Sequence, residues 1–247
     1  MITDQLDSRV LRFTDCYAQR FMKPGTYRYG VVAAGGHPGK DVPVEAARSL
    51  RRGRGQAVFT VEVDEGAEAA DKGRAMAQTV LTVRREGNGF VVDQPTVRVR
   101  VGDMVMWHGA DPSWPFAVAG EKEFFGSDRL VNESGFSHAF TAAGTHEWGD
   151  AYGSRLRGTV RVRQPRLGTA KDVEAWQSRM SAGALVTITD AVAEPAEVEL
   201  VVGQTVFFVV TRGPGVSVTD VDLLPTGGGG KGDGDEDDEP DRSVAAS

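Results

Sequence analysis

The chain has 247 residues, 40% of them hydrophobic, and a formal net charge of −7. Residues 231–247 hold seven acidic and two basic residues, so −5 of that charge sits in the last stretch and the rest is nearly neutral. Enough apolar material is present for two cores, and the near-neutral body lacks the positive field of a nucleic-acid binder. A single cysteine, Cys16, excludes an internal disulfide and any cluster of thiolates. No signal-peptide core opens the sequence and no apolar run reaches the length of a membrane span, so a cytoplasmic protein is expected.

In chain order, Tyr27, Tyr29 and Val31 alternate with polar or small neighbours and predict a strand within 9–32. Gly35, Gly36, Pro38 and Gly39 predict a turn, and Val44 to Arg52 a short helix. Phe59, Val61 and Val63 mark a half-buried strand, and the acidic, alanine-rich Asp64 to Lys72 a linker. A further strand runs from Met76 to Val83, with a hairpin signal at Gly87, Asn88 and Gly89. Thr169 caps a helix running to about Met180, with Val173, Trp176 and Met180 on one face. Leu185 to Val218 returns to β patterning. Four glycines, Gly227 to Gly230, precede an acidic tail whose composition predicts disorder.

Two partial repeats stand out. Val97 to Trp107 matches Val198 to Phe208 without a gap, with Gly102 on Gly203, Asp103 on Gln204 and Trp107 on Phe208. Phe140, Gly144, Thr145, His146 and Trp148 match Phe21, Gly25, Thr26, Tyr27 and Tyr29, and the strand after Gly158 matches Ala57 to Val63.

The stretch from Val97 to Val162, with its Gly102-Asp103 strand ending at Trp107 and its Phe140, Gly144, Thr145, Glu147, Trp148, Gly158 series, resembles the cupredoxins, the small blue-copper proteins typified by plastocyanin, amicyanin and halocyanin. The resemblance implies an all-β fold of two Greek-key β-sandwiches. One is continuous (76–163). The other is circularly permuted, built from the N-terminal half (9–63) and the C-terminal half (184–225). A helical linker (164–183) and a disordered tail (226–247) complete the chain. The two end halves close either within one chain or between neighbouring molecules; tethering favours closure within the chain.

A blue-copper site needs a thiolate, two imidazoles and a weak axial ligand. The positions implied by the resemblance carry Phe116, Asp150, Gly153 and Leu156 instead, so no copper cofactor is expected. His37, in its Gly-Pro turn, reads as a solvated residue. His108, His146 and Asp150 form the alternative set that could hold copper or zinc, although His146 is better read as an interior imidazole paired to Asp150. His138 sits in the strand leading to Phe140. Trp114, Phe116 and Tyr152 lie at the former copper end and suggest a docking surface for another protein or a second copy. Arg48, Arg51, Arg52 and Arg54 read as a solvated helix end, and Arg98, Arg100, Arg161 and Arg163 as an outer sheet face. No nucleophile elbow, phosphate loop or His-Glu-x-x-His helix is present. The expectation is a non-catalytic structural or protein-interaction module, with neither membrane nor nucleic acid as partner; a metal-binding or electron-transfer protein with a non-standard site is the alternative.

Overall fold

Alternation of buried and exposed side chains along short segments, the signature of sheets covered on one face, runs through most of the described strands. The computed structural model describes residues 4–34, 58–65, 75–123 and 125–224. The expected Val44–Arg52 helix, His37, the arginine cluster at 48–54 and the acidic tail lie outside the described residues, as does most of the Asp64–Lys72 linker.

The first eight strands are β1 (Asp15–Arg20), β2 (Gly25–Ala33), β3 (Phe59–Asp64), β4 (Gln78–Glu86), β5 (Gly89–Val92), β6 (Thr96–Arg100), β7 (Met104–Gly109) and β8 (Phe116–Gly120). The next eight are β9 (Ser134–Ala139), β10 (Gly144–Gly149), β11 (Arg157–Arg163), β12 (Ala184–Thr189), β13 (Val192–Glu194), β14 (Glu197–Val201), β15 (Thr205–Arg212) and β16 (Thr219–Asp220). They form an eight-stranded sheet, β13-β12-β15-β9-β1-β7-β4-β5, and two four-stranded sheets, β14-β11-β10-β16 and β6-β3-β2-β8.

The pairing of β9 to β16 repeats that of β1 to β8 strand for strand. β1 runs antiparallel to β7 as β9 does to β15; β3 lies parallel to β6 as β11 does to β14; β4 lies parallel to β7 as β12 does to β15. The local devices repeat too. Gly102 and Gly203 turn with φ of 89° and 94°, where a side chain would be strained. The residue after each turns its side chain back on the turn: Asp103 accepts from the Arg100 amide and Gln204 from the equivalent Val201 amide. The matched segments of the sequence thus occupy matched places.

Their partners differ from the expected ones. β3 of the N-terminal half pairs with β6, not with the C-terminal segment, and Val198 and Leu200 of β14 pair with Val160 and Val162 of β11. The physical reason is tether length: residues 65–95 separate β3 from β6, whereas more than a hundred residues separate β3 from β14. The loop-closure entropy that decides between partners favours the near one.

The two repeats are joined by β1 and β9, which pair antiparallel with Tyr17 opposite Phe136. Since Tyr17 faces Trp107 in β7 and Phe136 faces Phe208 in β15, Tyr17 and Phe136 are equivalent residues placed at a pseudo-twofold axis. Short arms cross this axis. Phe125 packs against Phe21, Tyr29 and Trp107 of the first repeat, and its carbonyl accepts from Gly120. Leu6, fully buried, offers its carbonyl to the equivalent Asp220, and Ser8 bonds to Val218 in the second repeat. The N-terminal arm thus bonds to the described segment at 218–220, rather than the N-terminal half completing a sheet with the C-terminal half.

The predicted helix forms as α1 (Ala170–Met180). Thr169 and Asp172 make a reciprocal capping box, the Trp176 indole donates to the Val202 carbonyl, and Met180 lies over Gly203.

Candidate functional site

The loop after β10 is where three of the implied copper positions fall. The Asp150 carboxylate is consumed there: Oδ1 accepts from the Ser217 amide at 2.8 Å, the Ser217 hydroxyl at 3.2 Å and the Tyr152 amide at 3.2 Å, and Oδ2 from the Ser154 amide at 3.1 Å. Gly153 takes a φ of 89° in the same loop, and Leu156 is buried hydrocarbon. The fourth position is not among them. Phe116 belongs to the first repeat, pairing with Ala33 and Leu11. Its counterpart beside the Asp150 loop is Val216, which bridges to Leu130 as Phe116 does to Leu11. The only cysteine, Cys16, sits in β1 opposite His108 and Ser137, in a different sheet from β10, which leads into this loop. These residues do not fit a blue-copper ion: they offer no thiolate and no imidazole.

The alternative metal set does not converge either. His108 points to the outer face of the eight-stranded sheet, with Nε2 3.2 Å from the Thr82 hydroxyl. His146 is on β10 and packs on Phe140, ring centroids 4.6 Å apart. Four residues along a strand put it about 13 Å from Asp150, so the expected His146–Asp150 pair is replaced by the Asp150–Ser217 bonds. Among the described residues, no three His, Cys, Asp or Glu side chains are grouped to hold a metal ion.

Of the docking residues, Phe116 is only 1% exposed and cannot meet a partner. Trp114 and Tyr152 are 47% and 42% exposed. Each carries a guanidinium over its ring, Arg85 at 4.8 Å and Arg129 at 4.7 Å, and the Tyr152 hydroxyl donates to the Asp128 carbonyl.

No family model, curated protein or solved structure matches the chain. No helix among the described residues is long and apolar enough to cross a membrane.

The most unusual chemistry lies elsewhere, where the N-terminal arm meets the second repeat. His138 is fully buried, its Nδ1 2.6 Å from Asp15 Oδ1, while Asp15 Oδ2 accepts from the Arg12 amide. Burial pushes the Asp15 carboxyl up, against the His138 hydrogen bond. His138 Nε2 has no hydrogen-bond partner, and Asp4 Oδ1, itself held by Thr141, stands 3.9 Å away. Burial lowers His146, with Asp4 opposing and His138 adding to the shift. Asp220 accepts from the Leu6 amide and is pushed up to about 6, chiefly by burial. Sequence reasoning singled out His138 but not Asp15. The signal was a period of two through Asp15, Tyr17 and Gln19, obscured because two of those three inward residues are polar. No hydroxyl or thiol of the described residues is bonded to Nε2, and the pair ties β1 to β9 and, through Asp4, to the arm.

Proposed function

We propose that this chain is a copper-free, cupredoxin-like protein with no catalytic site, serving as a structural and protein-docking module. Both repeats are then Greek-key sandwiches of permuted order, each starting from the strands that precede and follow the Gly-Thr motif. The observation that carries the reading is the closed Asp150 loop, in which side chains replacing the ligands satisfy the backbone and fill space instead of converging on an ion. The arginine-stacked Trp114 and Tyr152 supply rigid aromatic contact surface of the kind that anchors protein interfaces. The test is metal analysis of protein purified without chelator and after incubation with copper(II) or zinc. The expected result is sub-stoichiometric metal, unchanged by His146→Ala. One equivalent of tightly held transition metal, lost in His146→Ala, would overturn the reading in favour of a non-standard metal centre.

A further inference from the structure

Both four-stranded sheets cover the same face of the eight-stranded sheet. Buried Trp107, Tyr17, Phe136 and Phe208 are register partners across β7, β1, β9 and β15, so their side chains share one face. The alternate residues face the other way, and nothing within the chain covers them among the described residues. Apolar residues are spread across that face, interleaved with polar ones such as Thr187, Gln78, Thr82 and His108. Val192, Leu185, Phe207, Val80 and Val91 lie on it, on β13, β12, β15, β4 and β5, each at least 37% exposed.

Its centre is a trough of about 370 Å³. The floor consists of small residues from the two axis strands, Cys16 opposite Ser137 and Ala18 opposite Gly135. Met104 and Met106 of β7 form one wall, Phe207 and Val209 of β15 the other. The two charged residues lining it, Arg20 and Glu133, are paired to each other at 3.3 Å.

We propose that this open face is a homodimer interface, occupied by the same face of a second copy. Eight strands about 4.8 Å apart and six residues at about 3.3 Å give a patch of about 700 Å², close to the roughly 800 Å² per partner of a stable interface. The internal Arg20–Glu133 pairing leaves the trough without net charge, so two copies meet without repulsion, whereas a strongly charged partner finds no complement. A twofold axis parallel to the strands and above β9 lays Phe207 of each copy over Cys16 of the other, at the level of the Cys16–Ser137 floor. Such a contact is isologous and closes at two copies. The surface excludes Trp114 and Tyr152 and is independent of the copper-free reading, which a metal assay tests separately.

Sedimentation equilibrium of the full chain, from micromolar concentrations upward, tests the interface. The expected mass is twice the 26.4 kDa of one chain, falling to one chain in Phe207→Glu and unchanged in Trp114→Ala. Leu185→Glu, at a more exposed position, gives the same reading should Phe207→Glu lose its β circular-dichroism signature. A wild-type monomer at every concentration overturns the proposal, as does a dimer that survives both face variants. A monomer carrying a co-purified apolar small molecule in native mass spectrometry also overturns it, in favour of a ligand trough.

Discussion

The two ends of the β1–β9 ladder are equivalent by the pseudo-twofold axis, yet they are held by different chemistry. At one end Gln19, whose counterpart is His138, donates to the carbonyls of Arg20, Asn132 and Glu133 and accepts from the Tyr17 hydroxyl. At the other, Asp15 and His138 form a buried acid–imidazole pair, with Asp4 and Asp220 of the neighbouring contacts close by. The same backbone pairing therefore accepts a neutral amide whose donors are all used or a titratable pair that leaves His138 Nε2 without a partner. The difference places a buried titratable pair at the end where the N-terminal arm is anchored.

The arms give the largest contrast. Phe125→Ala removes a ring that packs on three others in the first repeat and is expected to cost about 3–5 kcal/mol, with Leu6→Ala in the second costing about 2–5 kcal/mol. Denaturant unfolding followed by tryptophan fluorescence measures both. Near-zero values for either residue would contradict the arm crossing.

His138→Ala leaves Asp15 buried without its partner and is expected to cost about 3–5 kcal/mol at neutral pH. Gln19→Ala, which strands uncharged groups, is expected to cost about 1–3 kcal/mol. The His138→Ala penalty should shrink in acid, since burial already favours the protonated Asp15 carboxyl. An equal, pH-independent penalty at the two ends would erase the distinction between them.

Asp220 sharpens the pH argument. Its folded pKa, about 6, lies above its ordinary 3.8, so its contribution is fully present below about 3.8 and is lost as pH rises through about 6. Asp220→Asn should match wild type near pH 4 and exceed its stability at pH 8 by on the order of 2 kcal/mol. Reading the difference between variant and wild type removes the opposite slope from His146, which loses stability as pH falls. A constant difference across the range would sink this assignment.

The smallest effect concerns α1, described in the second repeat alone. Thr169→Ala removes the hydroxyl's bonds to the Asp172 amide and carboxylate while the Thr169 amide still donates to Asp172; it is expected to cost about 1 kcal/mol, seen as faster amide exchange in 170–173 with the sheets unchanged.

The elements of the fold were legible in the sequence to differing degrees. Strands such as β3 and β14 show clear alternation, α1 announces its cap, and Gly102-Asp103 and Gly203-Gln204 betray the repeat. The axis strand β1 does not stand out, and β9 shows only as the strand leading to Phe140, because inward Asp15, Gln19, Ser134 and His138 break the hydrophobic period that strand recognition depends on. Phe125 and Leu6 are likewise silent: a single buried side chain in a connecting segment carries no periodicity. At the Asp150 loop the residue types were readable, but not their partner Ser217, which is 67 residues away in sequence.

By itself, the sequence determined the β class, the matched segments and the placement of the helix, since these follow from local alternation, turn chemistry and capping. Tertiary structure decided which matched segments pair, which arm fills which core, that Phe116 is buried while Asp150 bonds to Ser217, and that the described residues leave one face of the central sheet uncovered. Those outcomes depend on loop closure and on register between distant strands, and no local pattern encodes either.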